Sequence, residues 1–180
     1  MAFIDLSKHE AQVTDFCVAA LEAFSREHFD TKVSSVVLYS YPSYGTLIFC
    51  LDTVANAAKH SEDDAPPHDP GFSFVCPHFA FFDWRRLNIE EWSEAYDSVW
   101  IDGNEPLEIR TVSGESIAMG EDDGDETLNK PVLELLVKAM REMTRHPVTE
   151  ALNHEARLCI GVQIEESACS EYWSLPNGAA

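Results

Sequence analysis

Two runs of β-branched and aromatic residues, Val33 to Tyr41 and Thr46 to Leu51, flank the tetrapeptide Pro42-Ser43-Tyr44-Gly45. Proline presets the backbone for a turn and glycine accepts positive φ, so this spacing predicts a β-hairpin. A hairpin commits its strands to antiparallel pairing and needs further layers to bury its apolar side. The segments around it read as helices and more strands. The expected class is therefore α+β: an antiparallel or mixed sheet of about four to five strands, with helices packed mainly on one face.

Ser7-Lys8-His9-Glu10 has the form of a capping box. Val13, Phe16, Cys17, Ala20, Leu21 and Phe24 follow at helical spacing. Asp52 or Thr53 is placed to cap a short helix from Val54 to His60. Ser61 to Gly71, with Glu62, Asp63 and Asp64 followed by three prolines, predicts a loop. Phe72 to Trp84 is aromatic and broken by Pro77, which suits an edge strand or two short strands. Asn88-Ile89-Glu90-Glu91 predicts a capped helix carrying Ile89, Trp92, Tyr96 and Val99 on one face. A strand is expected from Glu108 to Val112. Gly114 to Glu126, ending in Glu121-Asp122-Asp123-Gly124-Asp125-Glu126, predicts an exposed, mobile loop because like charges repel. Asn129 is the expected cap of a helix with the stripe Leu133, Leu136, Val137, Met140 and Met143. Pro147 ends or restarts it. Leu158, Ile160, Val162 and Ile164 alternate in a strand from Arg157 to Glu165, and the tail from Tyr172 reads as turn. The expectation is one domain over residues 1–180, with an acidic loop insertion at about 102–129.

At 180 residues the chain buries roughly 70% of its unfolded surface, enough to be stable without disulfide or metal. Its 32 Asp and Glu against 12 Lys and Arg give a net charge of −20. That charge repels phosphate backbones and anionic membranes, and it draws cationic surfaces through a long-range field. Direct nucleic-acid and membrane binding are disfavoured. Five cysteines, Cys17, Cys50, Cys76, Cys159 and Cys169, sit mostly among apolar neighbours and form no C-x-x-C pair. They read as reduced, buried thiols of a cytoplasmic protein. No apolar run approaches the roughly 20 residues of a membrane span.

Each hint of catalysis has a plainer explanation. Gly114-Glu115-Ser116-Ile117-Ala118 approximates a nucleophile elbow but lacks its last glycine and its following helix. His146, Glu150 and His154 have helical spacing, yet Pro147 breaks the segment and no H-E-x-x-H is present. Cys76-Pro77-His78 puts thiol and imidazole in sequence but not on one strand face. Glu90, Glu91 and Glu94 suit the first turns of a helix, where carboxylates meet the dipole. Residues 119–126 miss the calcium-loop register, with Met119 at the first ligand position. No metal, cofactor or catalytic residue is assigned, and the chain is read as a non-enzyme. A small hydrolase-like enzyme with a His/carboxylate site is the alternative.

The layout also resembles a bacterial domain family of unknown function grouped with immunity proteins of toxin–immunity systems. The resemblance rests on Val37-Leu38-Tyr39-Ser40, Gly45-Thr46-Leu47, Asp52-Thr53, Phe82-Asp83-Trp84, the Leu133/Leu136 helix, the Leu158 to Ile164 strand and Trp173-Ser174-Leu175-Pro176-Asn177. It implies an intracellular antitoxin that binds and neutralises one cognate toxin. Acidic inhibitors suit nuclease toxins, whose grooves are basic. Under that reading the contacts come from Glu62, Asp63, Asp64, Glu121, Asp122, Asp123, Asp125 and Glu126, with Trp100 as an aromatic anchor. The plainer reading of the same acidic segments is a solvated loop.

Overall fold

The computed structural model describes residues 2–60, 78–101, 103, 106–120, 123–165 and 167–176. Strand β1 (Ala2–Asp5) leads through a 3-10 turn (Leu6–His9) into α1 (Glu10–Glu27). The hairpin is β2 (Val33–Tyr41) and β3 (Thr46–Thr53), joined by a 3-10 turn over Pro42–Tyr44. Then come α2 (Val54–His60), β4 (Phe81–Asn88), α3 (Glu90–Trp100), β5 (Leu107–Arg110) and β6 (Ser116–Met119). The chain continues through α4 (Glu126–Arg145), α5 (Pro147–Ala151), β7 (His154–Ile164) and β8 (Ser170–Pro176).

The protein is α+β, with a five-stranded sheet ordered β4-β3-β2-β7-β8 and a three-stranded sheet ordered β1-β5-β6. Both sheets are mixed. In the larger, β2 pairs antiparallel with β3 but parallel with β7, Leu38 standing opposite Val162. In the smaller, β1 runs parallel to β5 and β6 returns antiparallel.

The period of two along β2 divides its side chains between two faces. Val36 and Leu38 join Leu47, Phe49, Leu51, Leu158, Ile160 and Val162 in one core with the inner sides of α1 and α4. Val37 and Tyr39 form a second cluster on the reverse with Ile48, Cys50 and Phe79. Helix α1 buries Val13, Cys17, Ala20, Leu21 and Phe24, as its periodicity predicts, while Phe16 is only partly covered.

Several local expectations give way to tertiary pairing. Neither capping box forms: Ser7 donates to Asp5 Oδ1 at 2.6 Å, and Asn88 stays in β4, accepting from Thr46 at 3.2 Å. Thr53 does cap α2, its hydroxyl accepting the Asn56 amide at 3.0 Å. Helix α4 starts at Glu126 rather than beyond Asn129, which lies buried inside it along with Pro131. Its buried stripe is Leu128, Val132, Leu135, Leu136, Ala139, Met140 and Met143, so Leu133 and Val137 flank the core. The acidic stretch contains strand β6, anchored by fully buried Met119, and the tail read as turn forms β8. The loop expected at 61–71 and the first part of the aromatic strand lie outside the described residues. The observed strand begins at Phe81 and is an edge, as a Pro-bearing segment suggests.

Candidate functional site

The acids are segregated along the sequence. From Leu87 to Asn129 the chain carries thirteen Asp and Glu residues against the single base Arg110. That stretch contributes α3, β5, β6 and the start of α4. Helix α3 buries Trp92, Ala95 and Val99 and turns Glu90, Glu91, Glu94 and Asp97 to solvent, with no Lys or Arg in the helix. Of these, Glu91 is met by His9 Nε2 at 3.2 Å, and the His9 ring rests edge-on to buried Trp92.

Beside this face opens a cleft of about 680 Å³. The hairpin turn supplies Tyr41, Pro42, Ser43 and Tyr44, α3 supplies Tyr96 and Asp97, and β7 leads into Glu165. The start of α4 contributes Asp125, Glu126, Leu128 and Asn129. Four carboxylates and three phenols therefore line the cleft, with no cationic side chain among its described lining residues, and Lys130 stands close enough to lower the Glu126 carboxyl.

Gly45 holds the turn in place. Its φ is +59°, its N–H donates to Pro42 O at 3.0 Å, and its carbonyl accepts the Ile89 N–H at 2.8 Å. The tyrosines are thereby fixed against the N-terminal end of α3.

Two of the carboxylates are already oriented. Tyr96 donates its hydroxyl to Asp125 Oδ1 at 2.8 Å. Ser167 and Cys169 donate to the two oxygens of Glu126 at 2.6 and 2.9 Å. The Cys169 and Ser167 donors hold the Glu126 carboxyl below its ordinary range, whereas burial and then Glu126 push the Cys169 thiol up. Tyr96 is pushed up to about 12, first by burial and then by its bond to Asp125 and that group's charge.

The folded protein thus keeps the Tyr96 proton where the unfolded chain, near the ordinary 10.0, has lost it. The associated stabilisation is intact below the ordinary value and disappears as pH rises through about 12. Asp125→Asn is expected to bring the Tyr96 titration down toward the ordinary value, read from phenolate absorbance. Burial remains in that variant, so the return is incomplete. An unmoved midpoint would show that Asp125 does not act on Tyr96.

Of the expected contact residues, Asp125 and Glu126 line the cleft, and Asp123 lies just outside, accepting the Gly120 N–H at 2.8 Å. Trp100 stands behind the wall, its ring 5.6 Å from that of Tyr96. Glu62, Asp63, Asp64, Glu121 and Asp122 lie outside the described residues. Sequence reasoning missed Tyr41, Tyr44, Asp97, Asn129 and Glu165 as partners of one site. Tyr96 carried a legible signal, an aromatic ring close to acids, but on the apolar face of its helix it reads first as core.

Among the described residues the catalytic hints are not brought together. Ser116 opens β6 in a strand-turn-strand unit, not at a strand-to-helix elbow. His146 caps α5, its Nδ1 accepting the Val148 amide, while His154 begins β7 opposite Val33. Of the Cys76–His78 pair, Cys76 lies outside the described residues, and His78 is exposed. Cys17, Cys50, Cys159 and Cys169 are buried and form no disulfide among the described residues, and burial raises the Cys17 thiol strongly. Among the described residues no group of three or more His, Cys, Asp or Glu is placed to hold a metal ion, and no helix is long and apolar enough to cross a membrane.

What the cleft can do chemically is bind positive charge. Its carboxylates accept hydrogen bonds and its phenol rings offer faces to a cation. Comparison with protein-family models, with curated proteins and with solved structures finds no match to this chain.

Proposed function

We propose that this protein is a binding module of the immunity type, which docks on a basic protein domain and neutralises it, a toxin of the nuclease class being the partner its charge suits best. The observation that carries the reading is the cleft of four carboxylates and three tyrosines beside the exposed acids of α3. Nuclease grooves are basic because they hold phosphate backbones, and surface carboxylates can occupy those phosphate positions. The long-range field speeds the encounter, and the tyrosines supply area at the centre of the contact.

The test is to mix the protein with the product of the neighbouring gene and follow association at low and high salt. A stoichiometric complex is expected, with an association rate that falls as salt rises. The double variant Glu94→Lys, Asp97→Lys reverses two exposed charges and should leave the fold intact. It is expected to slow association at low salt roughly 10- to 100-fold. No complex at low salt, or a rate indifferent to both salt and charge reversal, would rule the proposal out.

A further inference from the structure

We infer that the cleft between the hairpin turn, the C-terminal half of α3 and the start of α4 is an arginine-accepting subsite, filled by a guanidinium on a loop of the basic partner. The inference rests on the binding reading above and names the contact within it.

Acidity alone does not identify a ligand, since surface carboxylates are content in water. The second observation is Asn129. Its side chain is only 6% exposed and lines the cleft, yet its carboxamide has no hydrogen-bond partner among the described residues. With so little of the residue exposed, the carboxamide meets what enters the cleft, and a ligand's polar group can take the place of water there. The carboxamide oxygen accepts from an N–H, in keeping with the acceptors around it.

The remaining walls favour arginine over lysine. Guanidinium is planar, weakly hydrated and carries five donors in a fixed fork, so it can meet a carboxylate with two bonds while stacking on a ring. Tyr41, Tyr44 and Tyr96 provide rings, and Tyr44 stands 71% exposed at the turn. Asp125 and Glu126 are held by Tyr96, Ser167 and Cys169 and still have lone pairs to spare. Asp97, on the exposed side of α3, makes no hydrogen bond or ion pair with another described residue through its carboxylate. At about 680 Å³ the cleft exceeds the needs of one side chain, which suits an arginine delivered with its flanking main chain.

The experiment uses the full chain and three probes: a capped glycyl-arginyl-glycine peptide, the matching lysine peptide, and spermidine. Binding is followed by amide NMR shifts. The arginine peptide is expected to move the Tyr44, Tyr96 and Asn129 signals and to bind at least roughly threefold more tightly than the lysine peptide. Asn129→Ala and, independently of any folding defect there, exposed Asp97→Asn are each expected to weaken it roughly threefold. Tyr44→Ala should erase the preference for arginine. Unmoved cleft signals, equal or tighter lysine binding, or tighter spermidine binding at the same signals would overturn the inference. A basic partner that still binds when the arginine peptide does not overturns the subsite and leaves the broader proposal standing. An arginine peptide that binds as described, with no complex from any basic partner, supports the subsite and removes the broader proposal.

Discussion

Trp92→Ala is expected to lower the unfolding free energy by roughly 3–5 kcal/mol, the range for emptying a buried indole site. Trp92 is fully buried and is the largest side chain in the main core. It joins α3 to the turn of the hairpin, since a methyl group placed on Gly45 would come within 3.3 Å of the Trp92 Cβ. The His9 ring packs edge-on against it at 5.6 Å. Removing the indole takes the edge-on partner from that ring and leaves a cavity beneath α3. Domains of this size have only about 5–15 kcal/mol in hand, so the loss is a large fraction of the whole. Urea unfolding reads it as a lower midpoint with an unchanged slope. Trp92→Phe separates the causes. The indole N–H has no partner among the described residues, so phenylalanine keeps much of the packing and discards an unsatisfied donor. It should recover more than half of the alanine loss. A phenylalanine variant as unstable as the alanine one would show that the N–H finds a partner after all.

Gly45→Ala is expected to be nearly as damaging, by roughly 3 kcal/mol or more, for a different reason. The φ of +59° alone costs an L-residue roughly 1–2 kcal/mol. The new methyl carbon would also stand 2.2 Å from the Ile89 carbonyl oxygen. That oxygen belongs to backbone fixed at the start of α3, because the Ile89 N–H is bonded to Gly45 itself. No side chain can swing away, so the turn and the helix must part. Gly114→Ala is the control. Its φ is +87° but nothing lies within 4 Å of the added carbon. It should cost only about 1–2 kcal/mol, the conformational part alone. Equal losses at the two glycines would show that the Ile89 contact is unimportant. The Gly45 variant should also blur the cleft, since Tyr44 and Tyr96 line it from the two elements that this joint holds together. Any residual folded protein is expected to bind the arginine peptide more weakly.

What the sequence makes legible follows from how local each determinant is. The hairpin and α2 are readable residue by residue because turn chemistry, β-branched runs and a threonine cap all act within a few positions. Helix α1 is readable from its stripe. Strand β1 is four residues long and exists only because it pairs with β5, far along the chain, and nothing inside Ala2–Asp5 announces that. Strand β6 hides in a segment whose charge density argues for a loop, and one buried methionine outweighs that signal. Strand β8 is half-buried at an edge, where alternation is weak. The two capping boxes fail because Ser7 and Asn88 find partners in Asp5 and Thr46 that only the fold brings near.

The site was legible as charge and illegible as geometry. Asp125 and Glu126 stand out in any reading of the chain, but they gain a context only when Tyr41 and Tyr44 arrive from the hairpin and Glu165 from the end of β7. Asn129 looks like a helix cap and is instead a buried amide inside α4, one turn past the real start. Contributions from elements so distant in sequence leave no spacing to detect.

The parallel pairing of β2 with β7 also sets the order of events when the polypeptide is made. The ribosome releases the hairpin early, but its inner edge has nothing to bond until residues up to Ile164 emerge. For the several seconds that this takes at about 5–20 residues per second, an apolar strand with free amides and carbonyls is open to other nascent chains. A cell that shortens that interval, or shields the hairpin during it, should recover more soluble protein from the same message.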